Sequence, residues 1–164
     1  MTPTPSGFTI LASAGQVPAK VVTNDDLAAR MDTSDEWIRQ RTGIHTRHIA
    51  GDDESTSTLC TTVAQQLLHQ AGIGADQLSY IVVATMSPDY ATPATAAQVQ
   101  GAIGAANAVA FDISAACSGF VYGLHLMQRL LAGPDVRYGL VLGGETLSRL
   151  VDWTDRSTAV LFGD

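Results

Sequence analysis

Cys117 is the residue whose place in the sequence best suits covalent chemistry. It follows the apolar run 108–114 (AVAFDIS) through Ala115 and Ala116, and a helical pattern opens at it. A thiol at a helix N-terminus lies at the positive end of the helix dipole, which favours the thiolate as nucleophile. Its small neighbours leave room for a carbonyl group, and a nearby backbone amide is placed to stabilise an oxyanion. The competing reading is a buried, inert cysteine, the commoner fate of the residue. Cys60, inside a helical pattern over 55–71, is read as packing.

A second cluster surrounds Trp37. Arg39 and Arg41 share its short segment, and residues four apart lie on one helix face, so Trp37 and Arg41 are neighbours. An aromatic plane beside a guanidinium suits a planar base carrying phosphates. The alternative is a core tryptophan with arginines in surface ion pairs. Arg156, in the loop Asp155-Arg156 before the last apolar run, carries the same ambiguity. The four histidines and two cysteines have no metal-ligand spacing, so no metal site is expected.

These residues need elements to hold them. Residues 8–14 (FTILASA) read as a first strand, followed by a turn at GQVP. Asn24 is placed to cap a helix over 25–31. Thr33 and Glu36 fit a capping box for a helix that Gly43 ends. Residues 45–49 read as an edge strand. Leu59, Val63, Leu67 and Leu68 recur at helical spacing up to Gly72. Runs 78–86 and 108–114 read as buried strands, with a helix starting near Pro93 between them. A long helix is expected from Cys117 to Leu131, with Phe120, Leu124, Met127 and Leu131 on its apolar side. Residues 138–143 and 158–162 complete the strands. Strands alternating with helices predict an α/β layered fold with a mostly parallel sheet, treated as one domain over 1–164.

Composition narrows the function. The chain has 164 residues, 46% of them hydrophobic and only 15% charged, which excludes intrinsic disorder. Two cysteines exclude a disulfide scaffold and, with no basic segment at the start, point to the cytoplasm. A formal net charge of −7 argues against nucleic acid and anionic membranes as partners. No apolar run is long enough to span a bilayer. The chain stops at Leu161-Phe162-Gly163-Asp164, directly after an apolar run, which suggests a cut inside a larger pair of domains.

The runs DTSDEWIRQRTGI (32–44), IVVATMS (81–87), FDISAACSGF (111–120) and DWTDRSTAVLFGD (152–164) resemble β-ketoacyl-acyl-carrier-protein synthase III, a thiolase-like condensing enzyme. The resemblance covers nearly all of the chain but only the first half of the family's length. It implies one half of a layered thiolase-like fold. It implies that Cys117 takes an acyl group from acyl-CoA, a substrate rather than a bound cofactor. Malonyl carrier protein then condenses with that group, losing carbon dioxide. It implies that Trp37 and Arg156 cover the two faces of the CoA adenine, that Arg41 lies near the phosphates and that Thr33 bonds to the base. The family's catalytic His and Asn lie beyond the LFGD run, so the full reaction needs the missing C-terminal half, in cis or as a second chain. His125 is expected to be packed rather than catalytic. The resemblance further implies a homodimer through residues near 108–114. Met86 and Thr92 are expected to line the acyl pocket. Two other readings are carried: a starter-unit acyltransferase or related CoA-dependent condensing enzyme, and an inactive dimerising fragment.

Overall fold

The computed structural model describes residues 7–164, which form two compact units. The reading of the chain's first residues as lacking an export signal, and the start of the 1–164 domain, fall partly on residues 1–6, outside the described residues.

The larger unit takes in the chain up to Gln16 and Thr56–Gly144. Its centre is a parallel sheet of β3 (Leu78–Ala84), β4 (Val109–Ile113) and β5 (Tyr138–Gly143), in the order β4-β3-β5. β3 is central, and Ile81, Val82 and Val83 are fully buried because both sheet faces are covered. Alternation sorts their side chains. Ile81, Val83, Leu140 and Leu142 pack with Cys60 and Ala64 of α3 (Thr56–Ala71) and Ala96 and Val99 of α4 (Thr95–Ile103). On the other face, α5 (Gly119–Leu130) lies close to the sheet. Small residues make that approach possible. A Cβ on Gly123 would sit 2.9 Å from Val141 Cγ1, and one on Gly139 would collide with Met127.

That packing corrects the expected apolar side of α5. Gly119, Gly123 and Met127 are its buried residues, whereas Phe120 is 47% exposed and Leu124 and Leu131 are only partly buried. The helix turns its glycines to the sheet because they permit the closest contact. His125, expected to be packed, is exposed. Residues 8–14 are not a strand either: no ladder partner pairs with them among the described residues, and Phe8, Ile10 and Leu11 are exposed.

The smaller unit comprises Val17–Ser55 and Glu145–Asp164. Here β1 (Lys20–Thr23), which the sequence reading missed, pairs antiparallel with β2 (Thr46–Ile49). Between them run α1 (Asn24–Ala28) and α2 (Asp35–Thr42). Val22, Leu27, Ile38 and Val160 form the core, with Trp37, Ile44 and Trp153 packed against it. The cap of α1 is Thr23, reciprocally bonded with Asp26, and not Asn24. Asn24 is buried and its amide donates to Asp35 Oδ1 and the Ile44 carbonyl, both at 2.8 Å. The cap of α2 is Ser34, whose Oγ accepts from the Trp37 amide, and not Thr33. Gly43 ends α2 with φ 74°, the left-handed conformation expected of it. The apolar run 158–162 is not a strand. Asp155 caps a single helical turn, α6 (Arg156–Ala159), and that local bonding outweighs the β-pattern.

Candidate active site and nucleotide cluster

In the larger unit, β4 delivers the chain to Cys117. The strands' carboxyl ends, where α/β folds place their sites, are Ala84, Ile113 and Gly143. Beyond Ile113 the chain makes a 3-10 turn over Ala116–Ser118 and only then enters α5, so Cys117 lies inside the turn rather than opening the helix. Ala116 has φ 48°, the left-handed region that a side chain disfavours by roughly 1–2 kcal/mol. The next residue, Cys117, is exposed, while Cys60 is buried. Gly119 follows, where a Cβ would stand 3.0 Å from that of Ala84. The turn is therefore pressed on the end of β3.

Asp112 steadies the same region, and the sequence reading did not single it out. Ala94 occupies the N-terminal cap position of α4 and offers no side-chain cap, so the Thr95 and Ala96 amides donate to the Asp112 carboxylate at 2.7 Å each. A carboxylate inside an apolar strand run was the available signal, because such a group must be bonded. Met86 and Thr92 both lie exposed in the segment between β3 and α4. No histidine hydrogen-bonds to Cys117 among the described residues.

In the smaller unit, α2 presents Trp37 at the helix's first turn. Arg41, one turn on, sets its guanidinium carbon 4.3 Å from the Trp37 ring centre, and its Nη1 donates to the Trp37 carbonyl. The guanidinium carbon of Arg156, at the start of α6, lies 5.3 Å from the same ring. Arg156 Nη1 donates to the Asp32 carbonyl at 2.6 Å and reaches Asp32 Oδ2 at 3.3 Å. Asp32 is a second residue that the sequence reading passed over. Arg39 belongs elsewhere, since it pairs with Asp35 at 3.3 Å. Thr33 Oγ1 is buried and has no hydrogen-bond partner. The structure thus brings Trp37, Arg41 and Arg156 together with an unsatisfied hydroxyl nearby in sequence. An aromatic plane with two cationic planes can stack a planar base, and the guanidiniums can meet phosphate.

Asp35 and Asp155 hold the two helix starts. The Asn24 amide, and then Arg39, keep the Asp35 carboxyl below the ordinary aspartate range. Hydrogen bonds from Ser157 and then Thr158 do the same for Asp155. No group of three or more His, Cys, Asp or Glu side chains is arranged to hold a metal among the described residues.

Residues 111–164 match the family model of 3-oxoacyl-(acyl-carrier-protein) synthase III. The chain is 65% identical over 157 residues to a β-ketoacyl-acyl-carrier-protein synthase III of Levilactobacillus brevis, covering 96% of this chain and 48% of that protein. Its fold is similar to the 3-oxoacyl-acyl-carrier-protein synthase III of Aquifex aeolicus VF5, with a TM-score of 0.93 and 44% identity over 96% of this chain and 51% of that one. It is also similar to the priming β-ketosynthase of the R1128 polyketide pathway, with a TM-score of 0.91 and 33% identity over 94% of this chain and 46% of that one. The chain spans about half the length of the curated relatives that it matches.

Proposed function

We propose that the chain is a member of the β-ketoacyl-acyl-carrier-protein synthase III family over the half that it shares with these relatives, and that it carries the acyl-accepting chemistry of the initiating condensation in fatty-acid synthesis. The observation that carries the proposal is the exposed Cys117 on a strained turn beyond the carboxyl ends of parallel strands. The Cys117 thiolate attacks the thioester carbonyl of an acyl-CoA. The new bond from the Cys117 sulfur to the acyl carbon forms as the bond between that carbon and the CoA sulfur breaks, and CoA leaves as a thiolate that takes up a proton. Trp37 and Arg156 hold the adenine, Arg41 meets the phosphates, and Thr33 Oγ1 supplies a hydrogen bond to the base. A base stacked between two planes needs them roughly 7 Å apart, twice a van der Waals contact. Trp37 and Arg156 stand at 5.3 Å, so a base between them displaces the guanidinium outward.

The second half-reaction joins malonyl carrier protein to the acyl group with loss of carbon dioxide, and Cys117 is released as the thiol. We assign its His and Asn to the remaining half of the longer relatives, supplied in cis or by a second chain. The free edge of β4, near 108–114, is our proposed homodimer contact. CoA is a substrate here, and no permanently bound cofactor is assigned. We place this chemistry in the cytoplasm, a reading favoured by two cysteines that form no disulfide; no described helix is long and apolar enough to cross a membrane.

Intact mass spectrometry of the full chain before and after acetyl-CoA tests the first step. An acetyl-sized gain is expected for the wild type and for Cys60→Ser, and none for Cys117→Ser. An unmodified wild type, or a gain that persists in Cys117→Ser, would overturn the assignment. Likeness to the priming ketosynthase favours one second reading, a starter-unit enzyme of the same acyl-cysteine chemistry. Comparing malonyl carrier protein with other acceptors of the acetyl group separates the two.

A further inference from the structure

Arg47 is only 5% exposed, yet no carboxylate pairs with it among the described residues. Burial pushes its pKa down, and its Nε has no hydrogen-bond partner. A buried cation without a counter-charge is costly, so its bonds must accomplish something that an apolar side chain could not. Two bonds are made. Nη1 donates to the Val22 carbonyl of β1 at 3.4 Å, and Nη2 donates to the Val160 carbonyl at 3.3 Å.

Val160 is the C-terminal cap of α6. That helix is a single turn of four residues, too short to persist unaided. Asp155 holds its first end through the Ser157 amide, and Arg47 holds its last carbonyl. The chain beyond it is shaped around the same arginine. A Cβ on Gly163 would lie 2.9 Å from Arg47 Cβ and from the His48 carbonyl, and the Asp164 amide donates to that carbonyl at 3.0 Å. The first residue of α6 is Arg156, which faces Trp37.

We infer that Arg47 is a positioning residue for Arg156: by tying the end of α6 to β1 and β2, it sets the distance of that guanidinium from the Trp37 ring. The inference rests on the nucleotide reading of Trp37 and Arg156 proposed above. An arginine serves here because two Nη groups reach two carbonyls in different directions. Lysine offers one point charge and methionine offers no donor.

The test is calorimetric titration of the full chain with coenzyme A, on variants shown to be folded by thermal melting. Trp37→Ala must first weaken binding; if wild type and Trp37→Ala bind alike, the nucleotide reading fails and the inference with it. Given that loss, Arg47→Lys is expected to weaken binding about five- to tenfold in the wild-type background and to change it little in an Arg156→Ala background. A merely structural role would cost the same factor in both backgrounds, and that result, or wild-type affinity in folded Arg47→Lys, would overturn the inference while leaving the nucleotide reading intact. Should Arg47→Lys fail to fold, Gly163→Ala displaces the arginine without removing its charge, and the same pair of backgrounds decides.

Discussion

At the scale of single residues, the candidate chemistry depends on groups held by neighbours that do no chemistry themselves. The exposed Cys117 directly follows Ala116, which adopts a backbone conformation that alanine disfavours. Arg156 is aimed by Asp32, and Trp37 is fixed through the Ser34 cap of its helix. The carboxylates at the helix starts give this arrangement a pH signature. Asp35 and Asp155 titrate below the ordinary aspartate value of 3.8, through bonds that stabilise the charged form. A depressed carboxyl contributes stability that is fully present above its unfolded pKa and is lost as pH falls through its folded one. The smaller unit is therefore expected to lose stability on acidification within and below the ordinary aspartate range. Tryptophan fluorescence during denaturant unfolding at about pH 6 and about pH 3 reads this, since both tryptophans lie in that unit. Asp155→Asn, which keeps a capping oxygen but removes the charge, should narrow the difference between the two curves. An unchanged difference would show that this carboxylate has the same pKa in both states.

At the scale of elements, close packing of α5 on the sheet decides where the turn that carries Cys117 sits. Gly119 and Gly123 form the helix's contact, against Ala84 and Val141. Gly123→Ala would put a methyl 2.9 Å from Val141 Cγ1. The expected cost of such overpacking is about 1–3 kcal/mol. Alanine's better helix propensity offsets up to about 1 kcal/mol of it. Thermal unfolding should register a net fall in Tm of roughly 2–8 °C, and a Tm at or above wild type would mean that the helix relaxes away from the sheet without penalty. The same contact explains an error in the sequence reading. Periodicity put Phe120, Leu124, Met127 and Leu131 on one apolar side, of which only Met127 is buried, because a pattern of large apolar residues is what periodicity detects. A glycine seam leaves no such trace, although Gly119 and Gly123 stand four apart. Likewise, the apolar runs 8–14 and 158–162 looked like strands, but a run of this kind becomes a strand only when another strand supplies its hydrogen bonds.

At the scale of the whole molecule, the described chain exposes many large apolar side chains. Phe120, Val121, Tyr122 and Leu126 on α5 alone are 39–63% exposed. Exposed apolar side chains on one helix favour association where they form a patch. Sedimentation of the 164-residue chain should show concentration-dependent self-association, and Val121→Glu should reduce it; a monomer at all concentrations would contradict that reading. The sequence by itself determined the α/β class, most of the helices, the parallel core strands and the short-range neighbours, such as Trp37 with Arg41. Each of these follows from local periodicity, from caps and from i,i+4 spacing, which act within a few residues. The likeness of four runs to one family supplied the candidate residues. The tertiary structure alone decided that Arg156 faces Trp37, that Asp112 caps a helix of another segment, and that Arg47 is buried against carbonyls from β1 and α6. Those pairings join positions from 16 to 119 residues apart in the chain. No local spacing encodes them, and they form only when burial of the two cores brings distant segments into hydrogen-bonding or stacking distance.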